Sequence, residues 1–247
     1  VFVAASTRCF FDLPFDQACS QITDLEYDKL EIWLEASGKH LSPEDVGRDP
    51  EGFVNRFREM TRITPVAFCC DSEVDEDLLE GICKAAKLLR ITQVTLRSAP
   101  LGTPFNTEID RLRSCVKLGS GEGVRISLKT ESGRLTEDPH TAIELCQAVS
   151  GLGLTFDPSY YLGSPLGERS FDMVYPHTFH VHLRDSTEND LQVQVGLGSI
   201  DYSKLISQLA RHNYNRALSV DLIPERIDIE TRPLEMRKMR MLLDSLL

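Results

Sequence analysis

Eight short apolar runs, each followed by a longer amphipathic stretch, predict a single-domain α/β fold closed as a (β/α)8 barrel. Three observations carry this expectation. The strand–helix alternation is unbroken, with no low-complexity linker between units. The 247 residues, 41% of them hydrophobic, suffice for one large core of the size such barrels reach. No GxGxxG follows the first strand, which removes the main cue for an open dinucleotide-binding sheet.

Strands are expected near 1–8, 29–35, 65–71, 92–98, 124–131, 152–157, 178–184 and 217–223. Helical patterns lie at 14–25, 50–62, 75–89, 106–117, 138–149, 167–174, 201–212 and 231–246, that of 167–174 being the faintest. Ser42-Pro43-Glu44 opens a short helical turn, with proline at the first helical position. Thr136-Glu137-Asp138-Pro139 leads into the helix carrying Ala142, Leu145, Cys146 and Val149. Asp201 caps the helix of Leu205 and Leu209. The whole chain, 1–247, reads as one TIM-barrel domain.

Alternate strand residues point to opposite faces, one towards the helices and one towards the barrel axis. In 178–184, Phe179, Val181 and Leu183 face helices, while Thr178, His180, His182 and Arg184 face inward. The same rule turns Ser127, Lys129 and Glu131 inward, with Thr155 and Asp157, Ser219 and Asp221, and Glu31, Trp33 and Glu35. Asp71, Arg97 and Arg8 complete a charged ring at the strands' C-terminal ends. Unpaired charges are costly to bury, so the ring implies a wet, ligand-accessible mouth on the face where barrels of this class place active sites. The competing expectation is a set of ion pairs sealing the barrel top. Glu35 and Arg184, on the outermost rung, are as compatible with solvated surface as with function.

The formal net charge of -11 disfavours nucleic acid and anionic membranes, and no Lys/Arg run offsets it. Seven cysteines, at 9, 19, 69, 70, 83, 115 and 146, form no CxxC pair and sit mostly in apolar patterns. They read as buried, reduced thiols of a cytoplasmic protein, and the adjacent Cys69 and Cys70 as core. No stretch approaches the roughly 18 apolar residues of a membrane span, and no signal peptide is visible. The chain opens directly in a strand, so a native N-terminal segment upstream is a further expectation.

Lys129-Thr130-Glu131-Ser132-Gly133-Arg134-Leu135-Thr136 and Gly153-Leu154-Thr155-Phe156-Asp157-Pro158-Ser159 resemble the xylose isomerase-like TIM barrels, most nearly their sugar phosphate isomerase/epimerase branch. His180-Val181-His182-Leu183-Arg184-Asp185, Gly196-Leu197-Gly198-Ser199-Ile200-Asp201 and Ala217-Leu218-Ser219-Val220-Asp221 match the same family in order. The resemblance implies a divalent metal held by Glu, Asp, His and Glu from the ends of strands five to eight. On this chain those positions are Lys129, Asp157, His182 and Asp221; the family histidine after the strand-six aspartate is Tyr160. A histidine often found two residues past the first glutamate is Glu131 here.

A protonated ammonium has no lone pair for a metal. Two like charges about 4 Å apart repel by about 4 kcal/mol at an effective dielectric near 20. The expectation is therefore a degenerate metal site, no cofactor, and Lys129 standing where the ion would be, paired with Asp157 and Asp221. Mn, Mg or Zn enters only if Lys129 does not occupy the site, with Glu131 as the replacement ligand about 6.6 Å further out.

The family chemistry is proton abstraction beside a carbonyl. Lys129, Glu131, Asp157, His182 and Asp221 are the catalytic candidates, and Arg8, Glu31, Trp33, Arg97 and Arg184 the substrate-binding ones. Lys129 as a Schiff-base nucleophile is disfavoured by the carboxylates around it. Gly196-Leu197-Gly198 either cradles a phosphate or makes a tight turn. The functional expectation is an isomerase- or epimerase-like protein acting on or binding a small sugar, polyol or keto acid. The alternative is a non-catalytic descendant that binds a ligand or partner through the same mouth. A DNA-repair nuclease fits neither the charge nor the missing ligands. An oligomer is possible.

Overall fold

The computed structural model describes residues 1–36, 40–162 and 170–247. Eight parallel strands close into a barrel in sequence order: β1 (Phe2–Ser6), β2 (Lys29–Leu34), β3 (Thr64–Cys70), β4 (Gln93–Leu96), β5 (Arg125–Lys129), β6 (Leu152–Phe156), β7 (Thr178–Leu183) and β8 (Ala217–Val220). Pairing of β1 with β8 closes the ring, Val3 opposite Leu218 and Ala5 opposite Val220.

The crossovers are helical: α1 (Phe15–Asp24), α2 (Pro43–Gly47), α3 (Pro50–Met60), α4 (Glu76–Leu89), α5 (Phe105–Gly121), α6 (Pro139–Ala148), α7 (Pro158–Leu162) and α8 (Tyr202–Arg211), with α9 (Arg232–Asp244) at the end. The expected start signals act as written. Ser42 and Asp45 form a reciprocal capping box on α2. Asp138 accepts from the amides of His140 and Thr141, and Asp201 from that of Lys204. The expected helix at 167–174 is not found as such. Residues 167–169 lie outside the described part, and a 3-10 turn spans Asp172–His177, where Pro176 forbids a regular helix.

The main core lies between barrel and helices, built from the outward residues of each strand, among them Leu30, Ile32, Phe68, Leu128, Phe156, Val181 and Leu218. Gly153 on β6 is required there: a Cβ would stand 2.3 Å from the Phe179 ring. All seven cysteines are free and buried. Cys70 joins the core, whereas Cys69 faces the axis, in register with Trp33 and Thr95. Among the described residues no helix is long and apolar enough to cross a membrane.

Candidate functional site at the barrel mouth

The first residue after a strand is still aimed by it. Asp71, Asp157, Arg184 and Asp221 each follow β3, β6, β7 or β8 at once, and Lys129 is the last residue of β5. Glu131 lies two residues beyond β5 rather than on it. Arg8 sits in a 3-10 turn, Thr7–Phe10, that leaves β1, so it is not a strand residue as expected. Its guanidinium nonetheless reaches across to Asp221, 3.0 Å away.

The charged ring is paired almost completely. Arg97 makes a two-pronged bond to Glu131, 2.8 and 3.1 Å. Lys129 Nζ donates to Asp71 Oδ1 at 2.9 Å and lies 3.7 Å from Glu131. Arg184 spans two carboxylates, 2.6 Å from Asp157 and 2.6 Å from Asp221. Arg184 also donates to Ser159 Oγ, which itself donates to Asp157. Trp33 is buried beneath two cations, with Arg8 4.5 Å and Lys129 4.7 Å from its ring centre, at cation–π distance.

Two expectations are corrected here, and the alternative left open at Gly196–Gly198 is decided. The ring is not a wet mouth: Arg184, Asp157, Asp221, Glu31 and His182 are 0% exposed, and Lys129 is 1% exposed. Arg184 is therefore no solvated outer-rung residue. Asp157 and Asp221 pair with Arg184, not with Lys129, because the longer guanidinium folds inward and offers two parallel donors where an ammonium offers a point charge. Gly196 and Gly198 donate their amides to Asp185 Oδ2, so a side chain of the protein already fills that cradle. Gly198 has to be glycine, since a Cβ would fall 1.8 Å from Asp185.

Below the ring lies a cluster that joins two of the candidates, Glu31 and His182, to two residues outside the candidate set, His180 and Cys69. Glu31 accepts from His180 Nε2 on one oxygen, 2.5 Å, and from His182 Nε2 on the other, 2.7 Å. Cys69 borders it. Its signal was spacing: His180 and Cys69 stand two residues before His182 and Asp71 on the same strand faces. Burial alone would raise the Glu31 pKa, but His182 and His180 outweigh it and hold the carboxyl well below its ordinary range. Burial likewise depresses His182, yet Glu31 and Asp221 overcome it and lift the imidazole above its ordinary 6.5. Asp221 is pulled down against its own burial by Arg8, His182, Arg184 and Lys129. Burial and Arg8 oppose the charge on Lys129, while Asp71 and its neighbours more than restore it. This amine stays protonated, which removes it as a carbonyl nucleophile.

Two groups could hold a metal ion among the described residues: Glu31, Cys69 and His182, and Asp157, His182 and Asp221. The second is the set that the resemblance implies. It does not fit a divalent ion here, because Asp221 Oδ2 already accepts from Arg8 and Arg184, and Arg184 also holds Asp157. An ion on those oxygens would stand beside a fixed guanidinium, with Lys129 in place of the fourth ligand.

Next to Arg184 a cavity of about 330 Å3 includes Ser159 and Tyr160 in its wall. The Tyr160 ring lies 5.5 Å from the Arg184 guanidinium.

The architecture is shared with solved structures of low identity. A D-tagatose 3-epimerase-like protein matches with TM-score 0.73 at 16% identity, covering 100% of this chain and 98% of its own. An L-ribulose 3-epimerase gives 0.69 at 14% identity, covering 99% and 93%. A D-allulose 3-epimerase from Methylomonas sp., solved with D-allulose, gives 0.73 at 11% identity, covering 99% and 96%. No curated protein matches the sequence. The xylose isomerase-like TIM barrel model matches residues 21–244, nearly the whole chain, and the protein belongs to that family.

Proposed function

We propose that this chain is a metal-independent isomerase or epimerase acting on a small sugar, polyol or keto acid at the C-terminal mouth. One observation carries the reading: Arg184 bridges Asp157 and Asp221, where the family would place a divalent ion. In such a reaction a C–H bond beside a carbonyl breaks and its electron pair flows into an enediolate. Arg184 and Lys129 supply fixed positive charge to the developing oxyanion.

His182 is the proton acceptor. With its Nε2–H donated to Glu31, the lone pair sits on Nδ1, which is buried and has no hydrogen-bond partner. The depressed carboxyl of Asp221 is a weak base by comparison. Return of the proton from His182 to the adjacent carbon, with the hydroxyl proton passing to the former carbonyl oxygen, completes an isomerisation; protonation of the opposite face of the same carbon by water, with His182 releasing its proton to solvent, completes an epimerisation.

The extent of pairing favours a second reading, a binding protein without turnover, because every ring cation already has a carboxylate partner. The experiment is proton exchange in D2O, followed by NMR on EDTA-treated protein with a panel of free and phosphorylated sugars. Loss of the C–H signal beside the carbonyl, abolished by His182→Asn, is the expected result. Exchange that requires added Mn or Mg would overturn metal independence. Ligand binding with no exchange at all would select the second reading.

A further inference from the structure

Trp33 is the single tryptophan of the chain, carried by β2 on the strand face turned to the barrel axis. It is 1% exposed, and its indole Nε1–H has no hydrogen-bond partner among the described residues. A buried indole usually finds an acceptor, because an unmade bond leaves its N–H desolvated. Here the ring is held in place by other means. Arg8 and Lys129 lie 4.5 and 4.7 Å from its centre, and the Trp33 amide donates to Thr7 Oγ1 at 3.0 Å. The donor is fixed and open.

Beside it stands the imidazole of His182, the proton acceptor proposed above. The two ring centres are 6.4 Å apart, with 44° between the planes, and His182 Nδ1 is likewise buried without a partner. The interior thus sets an open donor next to an open lone pair. A carbonyl and the C–H beside it sit on adjacent atoms, so one small ligand meets both: its oxygen takes the indole N–H, and its hydrogen faces the imidazole. The nearby cations are already aimed elsewhere. Arg184 directs its guanidinium at Asp157, Ser159 and Asp221, and Lys129 donates to Asp71. They contribute a field, whereas the indole offers a bond.

We infer that the Trp33 indole N–H is a catalytic hydrogen-bond donor: it binds the ligand's carbonyl oxygen and stabilises the negative charge that grows there as His182 removes the neighbouring proton. This rests on the reaction proposed above and assigns it a further residue. The indole keeps its proton throughout, since its nitrogen is a donor only. Two cations over its π face draw electron density from the ring and strengthen the N–H as a donor. An oxyanion accepts more strongly than a carbonyl, so the bond tightens in the transition state, which raises kcat rather than affinity. The ligand enters past Arg8, which lies over the indole and keeps 14% of its side chain in solvent.

A single tryptophan makes the test direct: isotope-labelled protein gives one indole N–H resonance in a proton–nitrogen NMR spectrum. The probes are D-fructose, D-xylulose and their phosphates on EDTA-treated protein, with binding followed by calorimetry. A bound ketose should move the indole proton downfield, as a new hydrogen bond does. In D2O exchange Trp33→Phe, which keeps an aromatic ring beneath Arg8 and Lys129, should lower kcat about a hundredfold with KM little changed. The resonance needs no variant, so it decides even if Trp33→Phe fails to fold. An indole signal unmoved by a bound ketose, or a folded variant with the parent kcat, would overturn the assignment and leave His182 as the proton acceptor. A ketose bound by the parent without exchange would overturn the catalytic role together with the isomerase reading. No probe bound at all would remove the mouth and the assignment with it.

Discussion

Two layers of the barrel interior, one residue pair apart along the same strands, solve the burial of polar groups in opposite ways. On β4, β5 and β6 the lower layer is neutral: Thr155 bonds to Thr95 at 2.7 Å and to Ser127 at 2.6 Å, while Gln93 donates to Ser127 at 2.5 Å. The upper layer, two residues further along β5 and just past β6, replaces Ser127 and Thr155 by Lys129 and Asp157. Hydroxyls take either role in a hydrogen bond, so a ring of them closes with little cost. Charges cannot switch roles, and the upper layer holds together only as a complete set of pairs. Both layers keep buried atoms without partners, Gln93 Oε1 in the lower and Trp33 Nε1, His182 Nδ1 and Asp221 Oδ1 in the upper, and those of the upper lie among fixed charges.

The harshest way to break this comparison is to remove the shared cation. Arg184→Met leaves Asp157 without its guanidinium partner and Asp221 with Arg8 as its one remaining guanidinium beside His182, both carboxylates fully buried. We expect a loss of about 3–5 kcal/mol in urea unfolding. The same change should free the Asp157, His182 and Asp221 donor set. Mn or Zn at 100 times its dissociation constant should then return about 2.7 kcal/mol to the variant and almost nothing to the parent. An equal shift in the parent would show that the guanidinium does not exclude an ion.

A gentler perturbation is pH, which acts on the charged layer and leaves the hydroxyl layer untouched. His182 has a raised pKa in the fold, so its contribution is complete below 6.5 and is lost as pH climbs through the raised value. Glu31 and Asp221 are depressed, so their contributions are complete above about 4.3 and vanish on acidification. The contribution of these three groups should therefore be flat between about pH 4.5 and 6.5 and fall on either side, while His40 and His177, whose imidazoles burial depresses, add a loss as pH drops below 6.5. Above 6.5 the slope should approach but not exceed about 1.4 kcal/mol per unit for this single proton, until cysteine ionisation in the unfolded chain adds to it near 8.5. Urea titrations across this range, with His182→Asn removing the first part of the alkaline limb, provide the check.

The two layers also differ in how far they could be read from sequence. Period-two alternation places Lys129, Asp157, His182 and Asp221 on the axis, and the structure puts them there. Alternation fixes the face of a residue but not its height or its partner across the barrel. That is why the sequence pairs Lys129 with Asp157 and Asp221, whereas in the structure it meets Asp71, and Arg184, nominally at the rim, takes both of those carboxylates. Long side chains break the rule because a guanidinium can fold back by the length of a strand step. Short ones obey it, and Cys69 and His180 were legible by the same count that found Asp71 and His182.

The smallest effect is expected in the neutral layer. Thr155→Val keeps the shape of the side chain and removes the hydroxyl that joins Thr95 to Ser127. The two former partners remain within reach of each other, 3.4 Å apart, so the ring can close again around the gap. A cost of about 1–2 kcal/mol follows, independent of pH between 5 and 8 because no titrating group is touched. If this variant instead cost as much as Arg184→Met, the contrast between role-switching hydroxyls and fixed charges would fail, and the stability of the interior would have to come from packing common to both layers.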